Sequence, residues 1–182
     1  MKQLRSVDLK RLHRSWQRRT DQRVALLLDG VQDPFNIGGI IRTAASLRVE
    51  RLYLCAHSTL PTHPKVGKTS RGTERYVEWS EYEHSIDGIA AARDDGLRVV
   101  ALELTEDAAP VFEVDLADDV CLVVGNESNG TSATVIAACD AVAYLPLLGR
   151  VGSLNVATAT AIALYEARRQ GWTRGDEWTD DA

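Results

Sequence analysis

The sequence has no long apolar segment and few cysteines. Nothing in its 182 residues approaches the unbroken apolar run of about 18 residues that a membrane-spanning helix needs. The N-terminus is basic and no apolar stretch follows it, which predicts that it is not a secretory signal. The three cysteines form no CxxC pair, so neither a disulfide framework nor a zinc motif is expected. Cys55 and Cys121 lie in apolar runs as small core residues, which favours a reducing compartment, the cytoplasm.

The common nucleotide and metal motifs are also missing. Gly67-Lys68-Thr69 has the form of the end of a phosphate-binding loop, but Thr62 stands where that loop needs its first glycine. No GxGxxG pattern follows the first predicted strand. The four histidines have no metal-ligand spacing, so we predict no metal site.

Charge is distributed unevenly along the chain. The formal net charge is −5, yet residues 1–23 contain eight lysines and arginines against two aspartates. Residues 1–20 are predicted to form a helix with Leu9, Leu12 and Trp16 on one side and Arg11, Arg14 and Arg18 nearly opposite. A basic arm on an acidic body predicts a local contact with a polyanion. The helix is interpreted either as docked with a solvated basic face or as an arm that contacts RNA, and the two are compatible.

Short apolar runs alternate with helical stretches, and the length of the chain suits one α/β domain. The predicted strands are Val24–Leu28, Leu52–Leu54, Val99–Leu104, Val120–Val124 and Val142–Leu145, with Tyr76–Trp79 as a further candidate. Helices are predicted at about 37–48, 83–95, 131–139 and 154–170. This alternation favours an α/β fold, with a parallel sheet and helices on both faces. Ligands in such folds bind beyond the carboxyl ends of the strands, so we expect the chemistry in the loops there.

The first unusual loop follows the first predicted strand. Asn36 is placed either to cap the next helix or to serve a site. Arg42 lies about two turns into that helix, and its neighbours are Ile40, Ile41, Ala44 and Ala45. Because this helix has little polar face, Arg42 is interpreted as a side chain that points into a site rather than as an ordinary surface charge.

Two further loops have a similar character. Glu127 follows a buried strand in a glycine-containing loop, where a partly desolvated carboxylate needs a cation or a hydroxyl donor. Ordinary turn chemistry is the alternative there. Ser153 and Asn155 lie at the start of a predicted helix rich in small residues, with Ser153 as the candidate cap and Asn155 in the first turn. The free N–H groups of such a helix start also favour a carboxylate or phosphate.

In order and spacing, these segments resemble the motifs of the SpoU (TrmH-like) family of SPOUT RNA methyltransferases. The matching segments are Asn36-Ile-Gly-Gly-Ile-Ile-Arg42-Thr-Ala, Gly125-Asn-Glu127-Ser-Asn-Gly130, and Leu145-Pro-Leu-Leu-Gly149 followed by Ser153-Leu-Asn155-Val-Ala. The resemblance covers about residues 22–171. It implies a C-terminal trefoil knot and a homodimer whose site is completed by the partner subunit. It also implies transfer of a methyl group from S-adenosyl-L-methionine to a ribose 2′-hydroxyl of RNA.

The resemblance also implies which residues act. The catalytic candidates are Asn36, Arg42, Glu127, Ser153 and Asn155. The cofactor candidates are Leu102, Glu103, Leu104, Gly125, Asn126, Leu145, Leu147, Ser153, Leu154 and Asn155. A guanidinium has no acceptor until it loses a proton, so Arg42 is expected to bind the adjacent phosphate and stabilise the developing alkoxide. Asn36 and Asn155 would hold geometry, Glu127 would orient Arg42 or the substrate, and Ser153 would support the cofactor loop or the ribose.

The substrate prediction is tRNA, with a D-loop guanosine as the expected nucleotide. It rests on the predicted organisation: a basic arm at 1–21, a methyltransferase domain at 22–171 and a frayed acidic tail at 172–182, without a separate RNA-binding domain. Candidate RNA contacts are Arg11, Arg14, Arg18, Lys65, Lys68, Arg71 and Arg75, although the last four also fit a solvated loop. The alternatives are an rRNA 2′-O-methyltransferase, a silent RNA-binding protein on the same fold, and a nucleotide-binding protein unrelated to RNA.

Overall fold

A seven-stranded sheet runs through the centre of the molecule, whose computed structural model describes residues 3–174. The strands are β1 (Val24–Asp29), β2 (Arg51–Cys55), β3 (Glu78–Tyr82), β4 (Arg98–Leu102), β5 (Ala109–Pro110), β6 (Val120–Gly125) and β7 (Ala141–Tyr144). The helices are α1 (Ser6–Gln17), α2 (Pro34–Ser46), α3 (Gly67–Ser70), α4 (Ser85–Asp94), α5 (Ala133–Ala138) and α6 (Val156–Arg174). A 3-10 turn spans Thr73–Tyr76. None of the described helices is long and apolar enough to cross a membrane.

The strand order determines which loops are neighbours. It is β3-β2-β1-β6-β4-β7-β5, and every pairing in it is parallel. Leu28 of β1 is in register with Leu54 of β2 and with Val124 of β6. Because parallel strands end at the same edge, the loops that follow β1, β6, β4 and β7 lie side by side.

Helices cover both faces of the sheet, as the alternation predicted. On one face, Leu26 and Leu28 pack with residues of α2 and α6, and on the other, Leu27 packs with residues of α4 and α5. Every residue of β1 and β6 is buried, which explains why both segments are continuously apolar rather than alternating. The knot implied by the resemblance is consistent with this sheet but stays a prediction.

Several predicted boundaries shift in the structure. The segment predicted as a strand at Tyr76–Trp79 forms a 3-10 turn up to Tyr76, and β3 begins at Glu78. The strand predicted to reach Leu104 ends at Leu102, and just beyond its end the Glu103 carboxylate accepts the Leu104 N–H. Helix α6 continues to Arg174, past the predicted end at 170 and into the segment predicted as a tail. Residues 175–182 of that tail lie outside the described residues. The elements α3 and β5 were not predicted, because they are too short to show a hydrophobic period in the sequence.

Helix α1 has no buried residue. Leu9 and Leu12, the predicted inner stripe, are each 42% exposed. The Trp16 ring lies 5.1 Å from the ring of Trp172 on α6, centre to centre. The helix therefore rests on α6 through an aromatic contact, and most of its apolar stripe faces outward. Arg11 and Arg14 are exposed on it, and Arg18 is its C-cap residue.

A buried arginine connects α6 to the segment just before β1 and to the segment just after α2. Arg168 is 4% exposed. Its guanidinium donates to the carbonyls of Leu47 at 2.8 Å, Gln22 at 2.7 Å and Arg48 at 2.6 Å. Burial lowers the pKa of Arg168 to about 10, helped by the nearby charge of Arg48, so the side chain is still charged at neutral pH.

Candidate active site

A cavity of about 1630 Å³ opens at the carboxyl edge of the sheet. Its walls come from the loops that follow β1, β4, β6 and β7, and from the start of α6. The three unusual loops therefore contribute to one cavity, although they are far apart in sequence. All ten residues predicted to bind a cofactor line it: Leu102, Glu103, Leu104, Gly125, Asn126, Leu145, Leu147, Ser153, Leu154 and Asn155.

Helix α2 brings Asn36 to the cavity wall. The helix starts with Pro34 in its first turn, and Asp33 is the capping residue, since its carboxylate accepts the Phe35 N–H at 2.8 Å. The prediction that Asn36 caps this helix was therefore wrong. Because Asp33 supplies the cap, the Asn36 side chain is available for tertiary contacts, and the residue is only 8% exposed.

Glu127 links the loops that follow β1 and β6. Its carboxylate accepts hydrogen bonds from the Asn36 side chain at 3.0 Å, the Asp33 N–H at 3.0 Å and the Gln32 N–H at 3.3 Å. Desolvation opposes ionisation, but these hydrogen bonds outweigh it and hold the pKa of Glu127 below its ordinary value. The carboxylate is therefore ionised at neutral pH, and it orients Asn36 rather than Arg42 of its own chain.

Asn155 connects Asn36 to the start of α6. Its Nδ2 donates to Asn36 Oδ1 at 2.8 Å, while its Oδ1 accepts the N–H groups of Ala157 at 3.0 Å and Thr158 at 3.3 Å. Asn155, not Ser153, is thus the residue that caps α6. Glu127, Asn36 and Asn155 form a continuous relay, and it joins the three unusual loops.

The loop after β6 leaves no room for side chains at its start. A Cβ at Gly125 would collide with the backbone of Gly130 and Thr131. The Glu103 carboxylate accepts the Thr131 N–H at 2.9 Å, which fastens this loop to the one after β4. The side chain of Asn126 fastens the same loop to the one after β1, because its Nδ2 donates to Gly30 O at 2.7 Å. These two side chains thus hold the loops after β1, β4 and β6 together at the cavity wall.

The cavity is acidic. Asp33, Glu103 and Glu127 line it, and no lysine or arginine of the described residues does. Thr131 also lines it and is 6% exposed, but its hydroxyl has no hydrogen-bond partner among the described residues. The chemistry of this wall suits a cationic ligand that brings a hydrogen-bonding group. No group of three or more His, Cys, Asp or Glu side chains that could hold a metal occurs within residues 3–174.

Arg42 does not contribute to the cavity of its own chain. It lies on the exposed side of α2, whose buried side carries Ile37, Ile40, Ile41 and Ala44. Of the five predicted catalytic residues, Arg42 is therefore the one outside this cavity, and its role stays a prediction. The sequence predicted four catalytic residues that the structure brings together, which are Asn36, Glu127, Ser153 and Asn155.

Four basic residues lie on a separate segment that packs against α2. Lys65, Lys68, Arg71 and Arg75 are exposed, and none of them forms an ion pair among the described residues. Gly38 of α2 allows this close packing, since a Cβ there would collide with the Thr69 side chain and the carbonyl of Val66. The basic segment is therefore fixed beside the part of α2 that carries Asn36.

Sequence reasoning missed several wall residues. Asp33 and Thr131 were not singled out, although Asp33 precedes a proline at a helix start, which is a recognisable capping signal. Thr131 offered no such signal, because its importance depends on burial and on the absence of a partner. The pairing of Glu103 with the Thr131 backbone was likewise invisible, since the two residues meet only through the sheet order.

Comparisons with known proteins place these features in a family. The model of the SpoU rRNA Methylase family matches residues 23–165. The tRNA (guanosine(18)-2′-O)-methyltransferase of Thermus thermophilus is 34% identical over 155 residues, which cover 84% of this chain and 78% of that enzyme. The 23S rRNA (guanosine-2′-O-)-methyltransferase of Acinetobacter baylyi is 32% identical over 151 residues, which cover 82% of this chain and 61% of that enzyme.

A solved structure is also similar. The AdoMet-bound rRNA methyltransferase from Sinorhizobium meliloti matches with a TM-score of 0.76 and 32% identity, over 81% of this chain and 56% of that one. The chain therefore spans between half and two thirds of the length of the Acinetobacter and Sinorhizobium proteins.

Proposed function

The chain belongs to the SpoU methylase family, and from that membership we propose that it transfers a methyl group from S-adenosyl-L-methionine to a ribose 2′-hydroxyl in RNA. One observation carries the proposal: the three motif segments meet at one cavity and are joined there by the Glu127–Asn36–Asn155 relay. A protein that only used this fold as a scaffold would have no need to keep such a relay beside an open cavity.

The cavity fits the cofactor. S-adenosyl-L-methionine carries a sulfonium and an ammonium against one carboxylate, so it is a net cation. The wall provides the carboxylates of Asp33, Glu103 and Glu127, and within residues 3–174 no lysine or arginine lines it. The unpartnered hydroxyl of Thr131 would gain a hydrogen-bonding partner from the ligand. The backbone of Leu102–Leu104, Gly125, Leu145, Leu147 and Leu154 would hold it. When bound, it supplies an electrophilic methyl group, so the protein has to orient the hydroxyl and manage its proton.

The residues of the chain divide these tasks. Methyl transfer requires the ribose 2′-hydroxyl to lose its proton, which passes to solvent at the open cavity. Negative charge develops on the 2′-oxygen because the proton leaves ahead of the arrival of the methyl group. Arg42 stabilises this charge and binds the adjacent phosphate, because a guanidinium presents several donors in a fixed plane. Asn36 and Asn155 hold the geometry, while Glu127 keeps the Asn36 amide in one orientation. Ser153 supports the cofactor loop or the ribose.

The position of Arg42 supports a homodimer. Arg42 is exposed and outside the cavity of its own chain, so the partner subunit's cavity is where we place its guanidinium. Ile162 and Tyr165 on α6 are 45% and 58% exposed, and they provide apolar surface for the contact between subunits. The site would then be complete only in the dimer.

RNA is held outside the acidic cavity. A polyanion is repelled by three carboxylates, so the contacts belong to the basic segment at Lys65, Lys68, Arg71 and Arg75 and to Arg11, Arg14 and Arg18 of the N-terminal arm. We propose tRNA as the substrate, with a D-loop guanosine as the expected nucleotide. The Thermus relative supports it, since this chain spans more of that tRNA enzyme than of the Acinetobacter rRNA enzyme. An rRNA 2′-O-methyltransferase is the second candidate, because the Acinetobacter rRNA enzyme, at 32% identity, is almost as similar to this chain as the Thermus tRNA enzyme, at 34%.

The test is transfer of tritium from labelled S-adenosyl-L-methionine into separate pools of unmodified tRNA and rRNA, followed by nucleoside analysis. Label in a 2′-O-methylguanosine of tRNA is the expected result. Label only in rRNA would support the proposed reaction but would show that rRNA, not tRNA, is the substrate. If neither pool were labelled although the protein bound the cofactor and RNA, the proposed enzyme activity would be wrong and the silent RNA-binding protein would replace it.

A replacement of Asn155 by aspartate separates its two roles. Aspartate keeps the oxygen that caps α6 but has no N–H to donate to Asn36, so the relay is interrupted. We expect the free energy of unfolding to fall by about 1 kcal/mol or less, so the melting temperature should stay within a few degrees of that of the unaltered chain. Methyl transfer should fall about tenfold or more, because the geometry of Asn36 is no longer held.

Asn155→Ala is the companion variant, since it removes the cap as well as the donor. It should lose activity without unfolding, at a stability cost of about 0.5–2 kcal/mol. Calorimetry and initial rates with saturating RNA measure both quantities. If Asn155→Asp retained full activity, the relay would have no role in the reaction. A collapsed melting transition in either variant would mean that Asn155 is structural.

A further inference from the structure

A second cavity, of about 360 Å³, lies at the β3 edge of the sheet, outside the site described above. Its walls include Pro61, His63, Pro64, Glu74, Arg75 and Trp79. This volume is at the lower end of the range for sites that hold small molecules, which suits a single base-sized group. The combination of an aromatic ring, an arginine and prolines is common where a flat ring is sandwiched.

Trp79 offers a surface for stacking. It lies on β3, the last strand at this edge, and is 37% exposed. Within residues 3–174 its ring has no aromatic partner, whereas Trp16 packs on Trp172 and Tyr53 packs on Tyr82. A large indole that lines an open cavity without an aromatic neighbour leaves one ring face available to a planar ligand.

The cavity rim is positively charged. Arg75 lies over the Tyr76 ring at 4.8 Å from its centre, which holds the guanidinium at the mouth of the cavity. Lys65, Lys68 and Arg71 are exposed on the same segment. Glu74 is the acidic wall residue, and its carboxylate accepts the Ser70 hydroxyl at 2.7 Å. With four basic residues against one glutamate, this segment of an otherwise acidic protein complements a phosphate backbone.

The cavity is held at a fixed position relative to the active site. Ser70 is fully buried, and Thr69 Oγ1 donates to Phe35 O at 3.3 Å, which fastens the basic segment to the first turn of α2. Asn36 is the next residue along that turn. Strand β3 is two strands away from β1, a separation of about 10 Å. The two cavities are therefore close enough for one RNA strand to reach both.

We propose that the cavity lined by Trp79 and Arg75 is a base-binding subsite that holds an unstacked nucleotide of the substrate RNA. The base stacks on Trp79, and its flanking phosphates contact Arg75 and the neighbouring lysines. The carboxylate of Glu74 favours a base that presents an amino group, which adenine, guanine and cytosine do and uracil does not. The subsite rests on the proposed function, since it assumes an RNA substrate, but it adds a contact beyond the reacting ribose.

The test compares Trp79→Ala and Trp79→Phe with the unaltered chain in binding to an unmodified tRNA transcript. Alanine removes the stacking surface, so the affinity should fall about 5- to 100-fold, and phenylalanine should restore part of it. The Kd for S-adenosyl-L-methionine and the kcat at saturating tRNA should not change. Phe112→Ala is the matched control, since Phe112 is an exposed aromatic residue, 57% exposed, near the opposite edge of the sheet.

A second measurement does not depend on how the variants fold. Ultraviolet cross-linking of a transcript that contains 4-thiouridine to the unaltered chain should attach RNA to the peptide that contains Trp79. Equal tRNA affinity for Trp79→Ala and the unaltered chain would overturn the subsite, and so would an equal loss in Phe112→Ala. If the unaltered chain bound no RNA at all, the proposed function would fail together with the subsite. Failure of the subsite alone is recognised by intact RNA binding.

Discussion

Arg42→Ala is expected to reduce the rate of methyl transfer at least about 100-fold and to leave the Kd for S-adenosyl-L-methionine unchanged. Removal of one donor that stabilises developing negative charge typically costs about 100- to 1000-fold in kcat. Cofactor binding should survive, because Arg42 is assigned to the ribose oxygen and phosphate of the RNA, whereas other residues line the cavity that would hold the cofactor. Isothermal titration with the cofactor and initial rates with saturating RNA measure the two quantities.

Two variants control this experiment. Arg42→Lys keeps the positive charge but lacks the planar set of donors, so it should recover only part of the activity. Arg93→Ala removes a partly exposed arginine from α4, on the other face of the sheet, where it pairs with Asp140 at 2.6 Å. This variant should keep nearly full activity. Comparable turnover in Arg42→Ala and the unaltered chain would rule out the role assigned to Arg42.

A mixing experiment tests where Arg42 acts. If each site combines Asn36 of one subunit with Arg42 of the other, then subunits with Arg42→Ala and subunits with Asn36→Ala complement each other. In a mixed dimer, the chain that retains Asn36 receives Arg42 from its partner, and one site is intact. Unfolding and refolding of the two inactive variants together should therefore restore activity. If no activity returned although mixed dimers formed, Arg42 would act within its own chain.

Arg168→Ala is expected to lower the free energy of unfolding by about 3–5 kcal/mol. The substitution leaves the carbonyls of Gln22, Leu47 and Arg48 without their donor, and the guanidinium that it removes belongs to a residue only 4% exposed. A buried acceptor that loses its partner costs about 1–3 kcal/mol, and three are affected. Urea denaturation at a fixed protein concentration measures the change, since dimerisation would otherwise shift the apparent stability.

Arg169→Ala is the matched control, because it changes the adjacent residue of the same helix. Arg169 is exposed, and its guanidinium pairs with Glu166 at 2.7 Å. Surface ion pairs of this kind contribute about 1 kcal/mol or less. If the two variants lost equal stability, the buried guanidinium would not hold the three segments together.

Much of the fold followed from local patterns. Continuous apolar runs such as those at β1 and β6 indicate strands that are buried on both faces, and the helical stretches between them require parallel pairing. The segment at Tyr76–Trp79 was misplaced because a 3-10 turn with an aromatic residue has the same short apolar pattern as a strand. Element β5 has only two residues, which is too short for any period.

The cap of α2 shows why the role of Asn36 was only partly predictable. Asparagine is among the preferred capping residues, but Asp33 stands just before Pro34 and takes that place. Asn36 is then inside the first turn, where its amide can meet Glu127, 91 positions away in sequence, and Asn155, 119 positions away. No local rule describes partners at such separations.

The sequence by itself determined the type of the longer elements, the loops in which polar residues interrupt apolar runs, and the contrast between basic segments and an acidic chain. These depend on neighbours along the chain, so they can be predicted from periodicity and composition. Only the tertiary structure decided that β1, β6, β4 and β7 are adjacent, that Glu127 holds Asn36 rather than Arg42, and that Arg42 faces away from the cavity of its own chain. The physical reason is that sheet order and side-chain direction depend on packing between distant segments, where burial and hydrogen-bond partners are established together.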